Sequence, residues 1–342
     1  MDVLERIAIA RKEQVSDVHV DAAGRVSVRS QNALAFTDET VTPAEVEAFV
    51  EKILDDTSRG ELARAGATLV VRAFAEIGRV RVQPYLSAGV LCLHARLLYE
   101  NIDPDALGIP ADILELAEAE SGLLLITGPQ RAGKSTTSAA IVQAMNRFGI
   151  SRHIVTIDER TEYVHEPDRC LITPIEVGPQ RDAPTHAAAV RAALARDTQV
   201  IVFGEMRFEP ETAKAVVAAL QAGLLVIANC HATPAPSGIE RLLDAVPIAD
   251  REQARSIVAH DFLAAAGVRL LPSTTGGVVL ATELLMGAPN VTQTIRDGDT
   301  FLLAPMLDNP PNRSLHTSIE ELLLDHRIDQ SDARRALSRV GT

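Results

Sequence analysis

Gly128-Pro129-Gln130-Arg131-Ala132-Gly133-Lys134-Ser135 is the stretch whose residue types and spacing carry the clearest chemistry. A glycine, four residues and then Gly-Lys-Ser form a phosphate-binding loop when a strand precedes and a helix follows. Both are expected here: the apolar run from Leu123 to Thr127 lies before it, and helix-forming residues from Thr136 to Val142 lie after it. The glycines let backbone N–H groups close around phosphates, and the helix N-terminus adds its positive dipole end. Lys134 would reach the β- and γ-phosphates, Ser135 would hold Mg²⁺, and Thr136 completes the binding set. The stretch implies a nucleoside triphosphate.

Phosphate binding alone hydrolyses nothing. A carboxylate must orient the attacking water, and positive charge must steady the transition state. The run Gln199-Val200-Ile201-Val202-Phe203-Gly204-Glu205 is an apolar strand ending in a carboxylate. Ligands sit at strand C-termini in parallel sheets, so Glu205 is the candidate base. A second acidic cluster, Asp158, Glu159 and Glu162, follows another apolar run. Any of the three could hold Mg²⁺ or position the water, and the residues alone do not choose among them.

The elements that must position these groups can be read from periodicity and turn residues. Residues 111–342 alternate strand and helix, with strands expected at 123–127, 153–158, 199–205, 224–230 and 278–285. Helices are expected at 134–147, 184–196, 209–222 and 237–244, with a helical tail from Ser314. Such alternation predicts an α/β fold with a mostly parallel sheet covered on both faces. Residues 1–98 read differently: a charged helix, short alternating strands (17–20, 25–29, 34–36), two helices near 42–54 and 61–65, and strands at 68–74, 79–85 and 90–98. That is a smaller α+β domain. Residues 99–110, rich in turn formers and without periodicity, are the expected linker.

Composition narrows the function. At 342 residues the chain can bury two cores, and 46% hydrophobic with 23% charged residues is ordinary for a globular protein. A net charge of −13, no Trp and only 3% aromatic residues argue against a nucleic-acid motor, so no nucleic-acid partner is expected. Cys92, Cys170 and Cys230 are isolated, which indicates neither a disulfide framework nor a zinc ribbon. The N-terminus has no apolar leader and the apolar runs are too short to span a bilayer, so a cytoplasmic protein is expected, able to dock on a membrane complex.

Taken in order, the motifs resemble those of the secretion ATPase superfamily, most closely the type IV pilus retraction ATPases. Ser16-Asp17-Val18-His19 is similar to that family's N-terminal Ser-Asp-Leu-His, and residues 128–137 match its phosphate loop. Residues 156–165 (TIDERTEYVH) resemble its acidic box, TIEDPIEFVH; residues 200–207 (VIVFGEMR) resemble its Walker B strand; residues 223–231 (GLLVIANCH) resemble its histidine box, GHLVFGTLH. The resemblance implies a RecA-like P-loop ATPase domain behind a PAS-like N-terminal domain, using ATP and Mg²⁺. It also implies a homo-hexamer at the cytoplasmic face of the inner membrane, engaging a platform protein of a pilus or secretion system, with a paralogous motor ATPase as a further candidate partner. Glu205 falls on the family's catalytic glutamate, His231 on its γ-phosphate sensor, and Arg79, Arg81 and Arg96 on N-terminal arginines that act as arginine fingers do.

Several positions depart from the pattern. Asp158-Glu159 exchanges the box's first two carboxylates, Arg160 replaces its proline, Leu224 replaces the first histidine, and Gln130-Arg131-Ala132 stands where Thr-Gly-Ser is usual. These changes keep open an accessory subunit that binds ATP and turns over slowly. An extension or type II secretion ATPase is disfavoured by the short N-terminal region and the missing tetracysteine motif.

Overall fold

A computed structural model of the chain describes residues 2–13, 15–30, 33–98 and 102–338. These form two compact units: the first reaches residue 98 and includes Arg160–Glu162, and the second holds residues 102–159 and 163–338.

In the first unit the chain runs α1 (Val3–Lys12), β1 (Asp17–Val20), β2 (Arg25–Ser30), β3 (Ala33–Thr40), α2 (Pro43–Ile53), α3 (Asp56–Ala65), β4 (Val70–Phe74), β5 (Gly78–Ser87) and β6 (Val90–Leu97). The strands form one antiparallel sheet in the order β3-β2-β1-β6-β5-β4. Alternation explains the layering: Val18, Val20, Val26 and Val28 share one buried face with Val3 and Ile7 of α1 and Phe49 and Ile53 of α2. The start of α2 is set by Thr42 and Glu45, which cap each other's backbone N–H groups, and by Pro43 in the first turn. The turn expected at Gln31-Asn32 lies outside the described residues.

The second unit opens with α4 (Pro104–Leu107), α5 (Ala111–Leu116), β7 (Gly122–Thr127), α6 (Lys134–Phe148), β8 (His153–Asp158) and β9 (Leu171–Glu176). It continues with α7 (His186–Leu194), β10 (Val200–Phe203), α8 (Pro210–Gln221), β11 (Leu225–Cys230), α9 (Ser237–Ala245) and α10 (Ile248–Asp261). It ends with β12 (Phe262–Pro272), β13 (Val278–Met286), α11 (Pro289–Asp297), α12 (Leu315–Leu324) and α13 (Gln330–Leu337). The sheet order is β13-β12-β7-β11-β10-β8-β9, parallel except for the β12–β13 pair. Strand β7 shows why both faces are covered. Leu123 and Leu125 pack with α7–α11, while Leu124 and Ile126 pack with Ile113 of α5 and Ile141 of α6.

Three features differ from the sequence expectation. The stretch 99–110 is not all linker: α4 begins inside it, capped by the Asp103 side chain, and residues 102–110 cluster with the second unit. Residues 99–101 lie outside the described residues. Strand β9 is not among the expected strands, because Pro174 interrupts it and it sits half-exposed at a sheet edge. Helix α10 and strand β12, which follows it without a turn, have no counterpart among the expected elements; the Leu263-Ala264-Ala265-Ala266 run lacks the polar alternation that marks a strand. No helix among the described residues is long and apolar enough to cross a membrane.

Candidate nucleotide and catalytic site

The phosphate loop connects the C-terminal end of β7 to α6. Its backbone takes φ values of +147° at Gly128, +66° at Arg131 and +99° at Gly133, the last being the N-cap of α6. Gly128 has no alternative: besides its φ, a Cβ there would lie 2.6 Å from the carbonyl oxygen of Val268 on β12. Lys134 is the first residue of α6 and is buried. Its Nζ donates to the carbonyls of Gly128 (3.0 Å) and Pro129 (2.8 Å) and meets His231 Nδ1 at 3.1 Å. Burial lowers the Lys134 pKa, while the Glu205 carboxylate and Cys230 oppose that shift. Ser135 and Thr136 occupy the first helical turn, where Thr136 Oγ1 shares a 2.8 Å hydrogen bond with the Tyr163 hydroxyl.

The neighbouring strand ends add the other groups. His231 Nε2 lies 3.4 Å from Glu205 Oε1. The imidazole presents Nδ1 to the Lys134 ammonium and Nε2 to the Glu205 carboxylate. Lysine, histidine and glutamate thus stand in line. Asp158, at the end of β8, packs on Gly204, where any Cβ would overlap its carboxylate. Gly204 N donates to Ile157 O at 3.0 Å, so the pairing of β8 with β10 sets Asp158 beside the residue preceding Glu205. Asn229, fully buried on β11, ties this edge together by donating to Ser138 Oγ (2.8 Å) on α6 and to Gly204 O (2.9 Å). A cavity of about 300 Å³ opens among Gly128, Pro129, His231, Ala232, Thr233, Ser237 and Arg241. Arg241 donates to the His231 carbonyl and stacks over the Phe208 ring at 4.7 Å.

The acidic box is therefore divided. Asp158 stays at the strand ends, Glu159 pairs with Arg207, and Glu162 belongs to the first unit. There Arg81 Nη1 meets Glu162 Oε1 at 2.6 Å, and Arg79 donates to the carbonyls of Glu162 (2.8 Å) and Thr161 (2.5 Å). Arg160, which stands in place of the family's proline, donates to Glu61 (2.9 Å) and Leu69 O (2.8 Å). Arg96 is held by the buried Asp17, Nε to Oδ1 at 2.9 Å, with His94 Nε2 on the same oxygen at 2.8 Å. Asn229 and Tyr163 fall within the motifs without a role that the sequence assigns; the one usable signal is a polar Asn229 inside an otherwise apolar strand.

The residues fit a nucleotide phosphate: a buried ammonium at a helix N-terminus, with loop carbonyls as exchangeable partners. A family model for "Type II/IV secretion system protein" matches residues 101–261. The chain is 34% identical over 306 residues to the uncharacterized protein YggR of Escherichia coli K12, covering 89% of this chain and 91% of YggR. It is 28% identical to the type IV pilus retraction ATPase PilT of Pseudomonas aeruginosa over 299 residues, 87% of this chain and 86% of PilT. A crystal structure of the pilus retraction motor PilT with bound ADP superposes with a TM-score of 0.82 at 30% identity, covering 98% of this chain and 97% of that one. The chain belongs to the PilT-like secretion ATPases. Membership makes it a P-loop nucleotide-binding ATPase, with a RecA-like domain behind an N-terminal domain.

Proposed function

We propose that the chain is the ATP-hydrolysing motor of a type IV pilus, of the retraction kind, or of a related secretion machine, acting as a homo-hexamer. The supporting observation is the line of Lys134, His231 and Glu205 at the end of the parallel sheet. On ATP binding, Lys134 would exchange its loop carbonyls for β- and γ-phosphate oxygens. Ser135 and Asp158 would hold Mg²⁺, which supplies charge neutralisation at the phosphates. Glu205 would orient and deprotonate the attacking water, and His231 would register the γ-phosphate. Arg79, Arg81 and Arg96 are the first unit's candidate donors of positive charge. Work at the cytoplasmic face of the inner membrane, against a platform protein or beside a paralogous motor, is part of the same proposal, and the likeness to PilT supports it.

Phosphate release by the purified protein tests this reading. Glu205→Gln should lower hydrolysis about 100-fold or more while binding of a fluorescent ATP analogue persists. Light scattering with ATP and Mg²⁺ should report six chains. A parent protein that binds ATP and releases no phosphate would favour the accessory-subunit reading, which the altered acidic and histidine boxes support.

A further inference from the structure

Glu283 is a buried carboxylate that the reaction as described does not use. It lies in the middle of β13, 6% exposed, flanked by Thr282 and Leu284. Its register partner on β12 is Gly267, where a Cβ would come within 2.5 Å of Glu283 Oε1. The glycine therefore opens the slot through which the side chain passes. Oε1 accepts a 2.5 Å hydrogen bond from the backbone N–H of Ala235. Burial raises the carboxyl's pKa, and the Ala235 N–H and the Arg269 charge act against that rise.

Two features place this contact at the nucleotide site. Gly267 also pairs with Thr127, the last residue before the phosphate loop, and the next residue, Val268, supplies the carbonyl beneath Gly128. Ala235 belongs to the segment 231–237, which carries His231 and lines the cavity through Ala232, Thr233 and Ser237. We propose that Glu283 is a positioning residue for hydrolysis: it holds the segment 231–237 so that His231 stays between Lys134 and Glu205. A buried N–H deprived of its acceptor moves toward water or another acceptor, and the segment would move with it. The inference rests on the role proposed above for His231.

The test compares E283Q, E283L, H231A and the E283L/H231A double variant. Glutamine keeps an acceptor at the same reach; leucine keeps the volume and removes the acceptor. E283L should lower kcat about 10-fold, as expected for a displaced catalytic group, while affinity for a fluorescent ADP analogue stays near the parent's, because His231 acts on the γ-phosphate. E283Q should restore most of kcat. The double variant should be no slower than H231A, since both lesions act through one residue. Multiplying losses, or a folded E283L at the parental rate beside a slow H231A, would overturn the inference and leave the His231 reading standing. H231A at the parental rate would sink both. If E283L does not fold, E283D replaces it: one methylene shorter, it draws the acceptor away from Ala235 and should be slower than E283Q, and equal rates would overturn the proposal.

Discussion

The ammonium of Lys134 and Nδ1 of His231 lie 3.1 Å apart, although 97 residues separate them in the chain. Parallel pairing of β7 with β11 makes this possible, because it aligns Thr127 with Cys230 and so brings the phosphate loop and His231 off adjacent strand ends. His231 is the first residue past β11, and Lys134 is the seventh past β7.

Lys134→Ala should therefore do two things. It removes charged hydrogen bonds to phosphate, each worth about 1.5–3 kcal/mol, so ATP affinity should fall at least 10-fold by calorimetry. It also leaves His231 without its donor. If the variant binds ATP as tightly as the parent, the phosphate-loop assignment is wrong.

Gly204→Ala should be among the most damaging small substitutions in the second unit. Its Cβ would overlap the Asp158 carboxylate, and such overpacking costs about 1–3 kcal/mol in urea denaturation. Hydrolysis should fall too, since the strand end before Glu205 must shift. Asp158→Ala in the same chain should recover stability without recovering hydrolysis. A double variant as unstable as Gly204→Ala would show that the clash lies elsewhere.

His165 predicts a pH effect. It is buried, with Nδ1 3.1 Å from Gln143 Oε1, and burial lowers its pKa from 6.5 to about 4. The folded state thus keeps a neutral imidazole while the unfolded chain takes up a proton. Its contribution is complete above pH 6.5 and is lost as pH falls toward 4, by about 3 kcal/mol in total. His165→Gln should show a correspondingly shallower loss of stability between pH 7 and pH 4.5 in urea titrations. Parallel pH slopes for parent and variant would contradict it.

Asp17 behaves in the opposite chemical sense. Burial would raise its pKa, but hydrogen bonds from His94, Ser16 and Arg96 and the Arg96 charge hold it well below the usual carboxylate range. A depressed folded pKa stabilises at every pH above the unfolded value of about 3.9 and fades only as pH drops below it. Asp17→Asn should cost about 3–5 kcal/mol at pH 7, because Arg96 loses its buried counter-charge, and nearly as much at pH 5. A penalty that disappears by pH 5 would assign the stabilisation to another group.

The local chemistry was legible without the fold. Gly128, Gly133, Lys134 and Ser135 name a phosphate loop by spacing, and Val200–Phe203 with Gly204-Glu205 after it names a strand end bearing a carboxylate. Period-two runs and cap residues such as Thr42 and Glu45 placed most helices and strands within a few residues, since those signals depend on near neighbours. Register and pairing depend on partners far along the chain, and no local pattern reports them. Three equivalent carboxylates became separate when β8 packed Asp158 on Gly204, Arg207 took Glu159, and Glu162 joined Arg79 and Arg81 in the other unit. Glu283 reads in sequence as one acid in an apolar run. Only the β12–β13 register, with Gly267 opposite, turns it inward onto Ala235. Side chains that meet across tens or hundreds of residues acquire their roles from burial and alignment, which tertiary structure alone supplies.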